Sequence, residues 1–313
     1  MRNAFVEELN SIAAKNRELV VLSGDIGNRL FDTFKSLYPK RFYNCGVAEA
    51  NMIGLAAGLA LTGMTVIVYT ITPFVTLRCL EQIRNDVCYH DLPVIIVGVG
   101  AGLSYAGLGP SHHSCEDISL MRSLPNMKVI CPGDALELRS AFVAAVQSAS
   151  PVYLRIGKKG EPLVHTSRPH FKIGKAIPMD SGKDICIIST GNVLPMAKEL
   201  VDNFSQEDRD VSLMSFPTVK PLDMKPLWDV FEKHSLVVSL EEHSYIGGLG
   251  SAIAEWMADE EIVDARLLRI GIMDRFFHQA GSQSYARECC GLKPPLIMSR
   301  IKQALEKKEM LVC

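Results

Sequence analysis

Apolar runs at regular intervals along the chain constrain its fold more than any other feature. TVIVYTI at 65–71 and LPVIIVGVG at 92–100 are continuous and rich in β-branched residues, which is typical of parallel strands buried on both faces. Stretches with helical spacing separate such runs, and shorter ones at 18–24, 127–133 and 151–157 continue the alternation. The sequence therefore predicts a doubly wound α/β sheet with helices on both faces.

The alternation lapses once and then resumes, which indicates two α/β domains. Residues 166–183 contain prolines and glycines but few apolar runs, as is typical of a linker. We expect a first domain at 1–165 and a second, smaller doubly wound domain at 184–313. Within the second domain, GGLGS at 247–251 lacks the GxGxxG spacing of dinucleotide-binding loops. We interpret it as the closely packed start of a helix.

Composition argues against nucleic acid and membrane as partners. The 313 residues include 33 Lys and Arg and 35 Asp and Glu, a net charge of −2 spread without long runs. No apolar run has the length of a membrane span. The nine cysteines lack the spacing of zinc ligands, and the N-terminus lacks the pattern of a signal peptide. We expect a cytoplasmic protein with reduced, mostly buried thiols.

The most apolar helical stretch, GVAEANMIGLAAGLALTG at 46–63, carries one carboxylate, Glu49, in its first turn. Gly54 and Gly58 would let a neighbouring backbone approach closely, so we expect a buried helix. An acidic residue at this place can simply complement the helix dipole. A carboxyl group at the head of an apolar helix is also suited to share a proton with a bound ring nitrogen. The stretch alone leaves both roles open.

Other candidates lie where predicted strands end, which is the edge at which parallel sheets bind ligands. Asp25 follows the first predicted strand, where capping a turn is an alternative role. Arg155 ends the strand at 151–157. The loop AGLSYAGLGPSHHSCED at 101–117 is rich in Gly, Ser and His, and loops bounded by a strand and a helix often carry function.

Five segments taken together resemble the transketolase family of thiamine diphosphate enzymes. In chain order they are GVAEANMIGLAAGLAL, ITPFVTLRCLEQIRND, GPSHHSCEDISLMRSLPNMKVICPGDALE, YLRIG and VSLEEHSYIGGLGSA. The chain is similar to the C-terminal half of transketolase, meaning the pyrimidine-binding and C-terminal domains, which is also the small subunit of two-chain transketolases. MDRFFHQAGS is also similar to 1-deoxyxylulose-5-phosphate synthase. The resemblance covers nearly the whole chain.

The resemblance implies roles for the cofactor-binding candidates. Glu49 would hydrogen-bond the aminopyrimidine ring of thiamine diphosphate and activate the cofactor. Phe74 would stack on that ring, with Tyr69 or Tyr89 as alternatives. Asp25 would lie close to the cofactor and to the subunit interface.

The resemblance also implies how substrate would be bound. His112 would hydrogen-bond the substrate and relay protons, with His113 in a weaker supporting role. Arg155 would reach sugar hydroxyls or a phosphate. Leu108 departs from the family pattern, because relatives commonly have an aspartate there that recognises a hydroxyl of the ketose donor. A leucine cannot accept that hydrogen bond, which suggests a donor or acceptor unlike ordinary pentose phosphates.

A further implication is that a second chain is needed. The family holds Mg²⁺ and the diphosphate with a GDG motif and a downstream Asn. Gly24-Asp25 is followed by Ile26 instead of the glycine that ends the motif, and Asn51 lies inside the apolar helix. We therefore assign no metal ligands here and expect an N-terminal, diphosphate-binding partner subunit to hold Mg²⁺. A heterotetramer of two large and two small subunits would follow, while this chain alone would dimerise without catalysis.

The leading hypothesis is the small subunit of a two-chain transketolase, which transfers a two-carbon ketol unit from a ketose to an aldose. One alternative is a subunit of a decarboxylating enzyme, similar to deoxyxylulose phosphate synthase or to the beta subunit of a 2-oxo-acid dehydrogenase. Release of carbon dioxide from pyruvate would identify that alternative. Another alternative is a non-catalytic, regulatory subunit that has kept the fold.

Overall fold

The computed structural model describes residues 1–27, 29–263 and 265–309. The strands are β1 Leu19–Ser23, β2 Phe42–Asn44, β3 Thr65–Ile71, β4 Val94–Val99, β5 Lys128–Ile130, β6 Val152–Ile156, β7 Ile177–Asp180, β8 Ile185–Thr190, β9 Val211–Ser215, β10 Thr218–Lys220, β11 Leu236–Ser244 and β12 Leu267–Ile272. The α-helices are α1 Arg2–Ala13, α2 Asp32–Leu37, α3 Glu49–Leu61, α4 Thr72–Thr76, α5 Leu80–Gln82, α6 Asp117–Ser123, α7 Ala135–Gln147, α8 Leu194–Ser205, α9 Lys225–Lys233, α10 Leu249–Asp259, α11 Gln283–Cys289 and α12 Pro294–Glu309.

The first sheet has the strand order β10-β5-β6-β4-β3-β1-β2. All neighbouring pairs are parallel except β10 with β5. β3 pairs with β1 on one side and β4 on the other, and β4 is buried along its whole length. The β-branched runs therefore form the centre of the sheet, and the predicted doubly wound architecture is confirmed.

The second sheet has the order β12-β11-β8-β9-β7, and only the edge strand β7 is antiparallel to its neighbour. Its apolar core includes residues of β8, α8 and α12. This is the second α/β unit that the sequence predicts, with strands close to the expected positions.

Two short strands were not predicted. β7, with Pro178 in its middle, lies inside 166–183, the stretch expected to be a linker. An edge strand tolerates proline because one side makes no ladder hydrogen bonds. β10 lies in the sequence of the second unit but pairs with β5 at the edge of the first sheet. The second sheet therefore begins before residue 184, and one strand from the sequence of the second unit completes the first sheet.

Two helical predictions need correction. The helix expected at 74–89 is interrupted: α4 and α5 are short, and a π-helical segment occupies Ile83–Cys88. α3 buries one face only, since Leu55 is 41% exposed and Leu61 is 65% exposed. No atom lies within 4 Å of a Cβ built at Gly58. The expectation of a fully buried helix is therefore wrong, since within this chain one face of α3 is exposed.

Two findings bear on the cysteine and membrane expectations. The described cysteines, residues 45, 79, 88, 115, 131, 186, 289 and 290, are all free. Across the described ranges, no helix is both long enough and apolar enough to cross a membrane.

Candidate active site

Glu49, Phe74 and His112 lie in one cluster, which is built on segments that follow strands of the first sheet. Glu49 begins α3, Phe74 lies in α4 directly after β3, and His112 lies on the loop after β4. Because parallel strands end at the same edge of a sheet, their following segments meet there. Arg78 links Glu49 to Phe74, and the Phe74 ring in turn contacts His112.

Glu49 is nearly buried and has a cationic partner. Its side chain is 4% exposed, and its Oε2 accepts a hydrogen bond from Arg78 Nη1 at 3.2 Å. A Cβ built at Gly24, just after β1, would lie 3.6 Å from Glu49 Cγ. The carboxyl group thus lies both at a helix N-terminus and beside a guanidinium group. The position of Glu49 fits either role left open by the sequence.

Phe74 is the aromatic ring that the structure presents beside Glu49. Its ring is half-buried, and the guanidinium carbon of Arg78 lies 4.0 Å from the ring centre. Tyr69, one alternative, packs in the core against Phe5. Tyr89, the other alternative, is 81% exposed and lies outside these contacts. The geometry therefore favours Phe74 over both tyrosines.

His112 completes the cluster. Its ring meets Phe74 edge to face, with ring centres 5.0 Å apart. The Ser111 hydroxyl lies 3.0 Å from its Nδ1, and among the described residues Nε2 has no hydrogen-bond partner. Burial, followed by the charges of His113 and Arg78, lowers the pKa of His112 below its ordinary value. A neutral imidazole at pH 7 can accept or donate one proton.

His113 and Asp25 lie outside these contacts. His113 is buried, with Nε2 3.3 Å from the Ala106 carbonyl oxygen and its ring 5.8 Å from that of Phe277. Asp25 follows β1 as expected, but it is exposed and its Oδ1 accepts a hydrogen bond from Asn44 at 2.8 Å. In the described part of the chain, no hydrogen bond joins either residue to Glu49, Phe74 or His112.

Arg155 lies deep between the two sheets rather than at an open edge. Its side chain is 1% exposed, and its Nε donates to Asp117 Oδ2 at 2.6 Å. Its Nη2 donates to the carbonyl oxygens of Ser114 and Glu242. Burial alone would raise the pKa of Asp117, but the Arg155 guanidinium holds it below its ordinary value. This geometry does not support the expected contact with substrate, and we propose that Arg155 joins the two domains.

The second domain also holds the loop that carries His112. Glu242, in β11, accepts a hydrogen bond from Leu103 N at 2.6 Å, and Arg287 Nε donates to it at 2.7 Å. Gly102 has a φ of +59°, and a Cβ there would lie 2.6 Å from Glu242 Cγ. A larger residue at this position would displace the carboxylate, so glycine permits the close approach of the domains.

The GGLGS stretch, at the start of α10, packs around the carboxyl group of Glu241 from β11. The Glu241 carboxylate accepts hydrogen bonds from Leu249 N at 2.8 Å and Gly250 N at 2.9 Å. Burial raises the pKa of Glu241 to about 7. A Cβ at Gly248 would lie 2.0 Å from Glu241 Oε2, so the chain packs tightly here. The interpretation as a closely packed helix start is confirmed, since a side chain occupies the place that a phosphate would need.

Family models match both halves of the chain. Residues 1–161 match the model described as transketolase, pyrimidine binding domain, and residues 174–293 match transketolase, C-terminal domain. The chain belongs to the transketolase family. Apart from β10, the strands of the first sheet lie within the first matched range and those of the second sheet within the second.

Named relatives include components of transketolases that act on unusual sugars. A 6-deoxy-6-sulfo-D-fructose transketolase subunit of Clostridium sp. (strain MSTE9) is 33% identical, covering 98% of this chain and 95% of the relative. An apulose-4-phosphate transketolase subunit of Actinobacillus succinogenes is 30% identical, covering 93% and 94%. The 1-deoxy-D-xylulose-5-phosphate synthase of Thermomicrobium roseum is 32% identical, covering 96% of this chain but 48% of the relative.

A solved structure agrees over nearly the whole length. It is a split-gene transketolase in an inactive beta4 tetramer, 33% identical, with a TM-score of 0.88. The match covers 97% of each chain. The transketolase family is one of thiamine diphosphate enzymes, so the family assignment implies dependence on that cofactor. Across the described ranges, no group of three or more His, Cys, Asp or Glu side chains is arranged to hold a metal ion.

Three residues of the site region were not singled out from the sequence. Asp117 and Glu242 are recognisable only once the two domains are seen in contact. Arg78 could have been found, because it follows Phe74 by four residues, the distance that places two helical side chains on one face. Arg78 lies between the end of α4 and the start of α5, and it still contacts the Phe74 ring.

Proposed function

We propose that this chain is the small subunit of a two-chain, thiamine diphosphate-dependent transketolase. It would transfer a two-carbon ketol unit from a ketose donor to an aldose acceptor. The observation that carries this proposal is the meeting of Glu49, Phe74 and His112 at one edge of the first sheet. A scaffold subunit without catalysis would need none of these three side chains, which favours a catalytic role over a purely regulatory one.

The cluster fits the aminopyrimidine ring of thiamine diphosphate. Arg78 is itself a flat, nitrogen-bearing group, and it contacts both the Glu49 carboxylate and the Phe74 ring. A flat ring with nitrogen atoms at its edge can make the same two kinds of contact. When bound, the cofactor supplies the carbon nucleophile that takes up the two-carbon unit.

Each residue of this chain has a separate task in the proposed reaction. Glu49 holds a proton at the ring nitrogen of the aminopyrimidine, and its burial excludes water from that hydrogen bond. Phe74 orients the ring by stacking. His112, neutral and with a free Nε2 among the described residues, hydrogen-bonds a hydroxyl or carbonyl group of the sugar and moves a proton to or from it.

The remaining parts of the site would come from a partner. We propose that an N-terminal, diphosphate-binding subunit holds Mg²⁺ and the diphosphate, in a heterotetramer of two large and two small subunits. The names of the relatives as subunits support a partner. The solved split-gene relative, an inactive beta4 tetramer, supports the expectation that this chain alone lacks activity.

Leu108 supports a substrate other than ordinary pentose phosphates. It is 57% exposed and ends the short turn directly before Gly109, on the loop that carries His112. The side chain cannot accept a hydrogen bond from a donor hydroxyl. The relatives that act on sulfofructose and apulose 4-phosphate are consistent with a modified sugar. We propose a sugar or sugar phosphate that lacks, or has altered, the hydroxyl otherwise recognised at this position.

Leu108→Asp is expected to shift the preference of the reconstituted enzyme toward xylulose 5-phosphate by about tenfold in kcat/KM, because a charged hydrogen bond to the hydroxyl is restored. A panel of ordinary and modified ketoses measures the shift. Leu37→Asp is the control, since Leu37 in α2 is equally exposed. If the unmodified enzyme already uses xylulose 5-phosphate far better than any modified sugar, the substrate proposal is wrong.

The pH dependence of turnover tests the role of His112. Because its pKa is lowered from the ordinary value near 6.5, we expect the neutral form to persist, and activity with it, as the pH falls to 6.5. Activity should decline only at lower pH. His112→Asn should remove this decline and reduce kcat/KM by about 10²-fold. His90→Asn, at an exposed position, should keep both the rate and the profile. An unchanged profile in His112→Asn would contradict the role.

A decarboxylating reaction is the second candidate, favoured by the similarity to 1-deoxy-D-xylulose-5-phosphate synthase over 96% of this chain. This chain spans about half the length of that relative, so a synthase activity of the same kind is a proposal for this chain. Both reactions need the same aminopyrimidine contacts, and they differ in the donor. Release of carbon dioxide from pyruvate by the reconstituted complex would support decarboxylation, and its absence together with ketol transfer would support the transketolase proposal.

A further inference from the structure

Arg78 occupies the space between the two groups that we assign to the cofactor ring. Its Nη1 lies 3.2 Å from Glu49 Oε2, and its guanidinium carbon lies 4.0 Å from the centre of the Phe74 ring. The second distance places the planar cation against the face of the ring. One side chain therefore makes both contacts that the aminopyrimidine would make, a hydrogen bond to the carboxylate and a stack on the phenyl ring.

We propose that Arg78 is a placeholder for the aminopyrimidine ring: it fills the position of the ring in this chain and leaves it when thiamine diphosphate binds to the assembled enzyme. The inference rests on the proposed function. The guanidinium group is a suitable substitute because it is flat, presents N–H donors along its edge and stacks on aromatic faces. The same features make it a competitor, since both groups need one face of Phe74 and the Glu49 carboxylate.

The burial of the two partners indicates which one moves. The Glu49 side chain is 4% exposed, whereas the Arg78 side chain is 49% exposed. Only the Arg78 end of the ion pair reaches solvent, so the guanidinium group is the partner that can leave the contact. A nearly buried carboxylate without a partner is costly. Arg78 therefore stabilises Glu49 before the cofactor is present, and it can turn toward water once the ring takes its place.

Cofactor binding by the reconstituted two-subunit enzyme tests the exchange. With Arg78→Gln, the dissociation constant for thiamine diphosphate is expected to fall about fivefold and association to become faster, because the competing contact is gone. Arg78→Lys keeps the charge but not the flat stack and should be intermediate. Arg84→Gln is the matched control, because Arg84 is exposed and donates to its neighbour Asn85. Calorimetric titration measures all four proteins without relying on turnover.

Thermal unfolding of this chain alone tests the contact without cofactor. Arg78→Gln should lower Tm, because Glu49 loses its cation. The same substitution in a Glu49→Gln background should lower Tm by less, since only the contact with Phe74 is then lost. Arg84→Gln should leave Tm unchanged in either background.

The outcomes separate the placeholder role from the proposed function. Weaker or unchanged cofactor binding in Arg78→Gln, with normal binding by the unmodified pair, overturns the placeholder role alone. An unchanged Tm in Arg78→Gln overturns the stabilising contact with Glu49. If the unmodified pair binds no thiamine diphosphate at all, the proposed function fails and the inference fails with it.

Discussion

Glu49→Gln is expected to reduce ketol transfer by the reconstituted enzyme by about 10²- to 10⁴-fold, the range for loss of a positioned proton-transfer group. The amide has nearly the same shape as the carboxyl group, so the packing of α3 against β3 should survive. It cannot hold a proton at the ring nitrogen of the cofactor in the way that the carboxyl group does. Steady-state kinetics with saturating thiamine diphosphate and Mg²⁺ measure the loss.

The control for this prediction is Glu81→Gln, at an exposed position in α5, which should keep full activity. Assembly with the partner and the thermal transition of Glu49→Gln should remain close to those of the unmodified chain. If Glu49→Gln keeps more than about a tenth of the activity, Glu49 does not activate the cofactor. Its carboxylate would then serve only the helix dipole and Arg78.

Arg155→Met is expected to destabilise the protein by roughly 3–5 kcal/mol, the cost of leaving one partner of a buried ion pair unpaired. Asp117 would keep its charge in a site where both side chains are 1% exposed. The carbonyl oxygens of Ser114 and Glu242 would lose their donor as well. Chemical denaturation and the Tm of the chain measure the effect.

The double variant Arg155→Met/Asp117→Asn removes both charges and should recover a large part of the lost stability, because a buried pair replaced as a whole is often neutral. A substrate-binding arginine predicts a different result. In that case Arg155→Met would leave the thermal transition nearly unchanged and would raise the KM for a sugar phosphate. That outcome would contradict the domain-joining role and restore the expectation from the sequence.

The central strands could be predicted from the sequence because their chemistry is local. The run at 65–71 matches β3 residue for residue, since continuous β-branched residues favour a strand buried on both faces. β7 and β10 could not be predicted in the same way. Each has three or four residues and is defined by its neighbour, β7 at a sheet edge and β10 on the sheet of the other domain.

In the candidate site, too, the sequence predicts local features better than contacts between distant segments. Glu49 and Phe74 could be assigned from their positions in short motifs, and the structure brings them together with His112. Arg155 was also placed correctly at the end of a strand. Its position in the sequence does not show that α6 and β11 cover it, because Asp117 and Glu242 come from distant segments.

The exposed face of α3 shows that apolar residues alone do not predict burial within one chain. Its leucines and glycines predict burial, yet Leu55, Gly58 and Leu61 face away from the core of this chain. Hydrophobicity indicates that a surface is suited to contact, but it does not say whether the contact lies within the chain.

The most direct test of the central claim is a thiamine diphosphate and Mg²⁺ titration of this chain, of the proposed N-terminal partner subunit, and of the two co-purified together. Each sample is then assayed with a panel of ketose donors, including xylulose 5-phosphate, and ribose 5-phosphate as acceptor. We expect cofactor binding and ketol transfer only in the pair, with sedoheptulose 7-phosphate as product if ordinary sugars are accepted. Tight cofactor binding without ketol transfer from any ketose, or activity of the partner without this chain, would contradict the account.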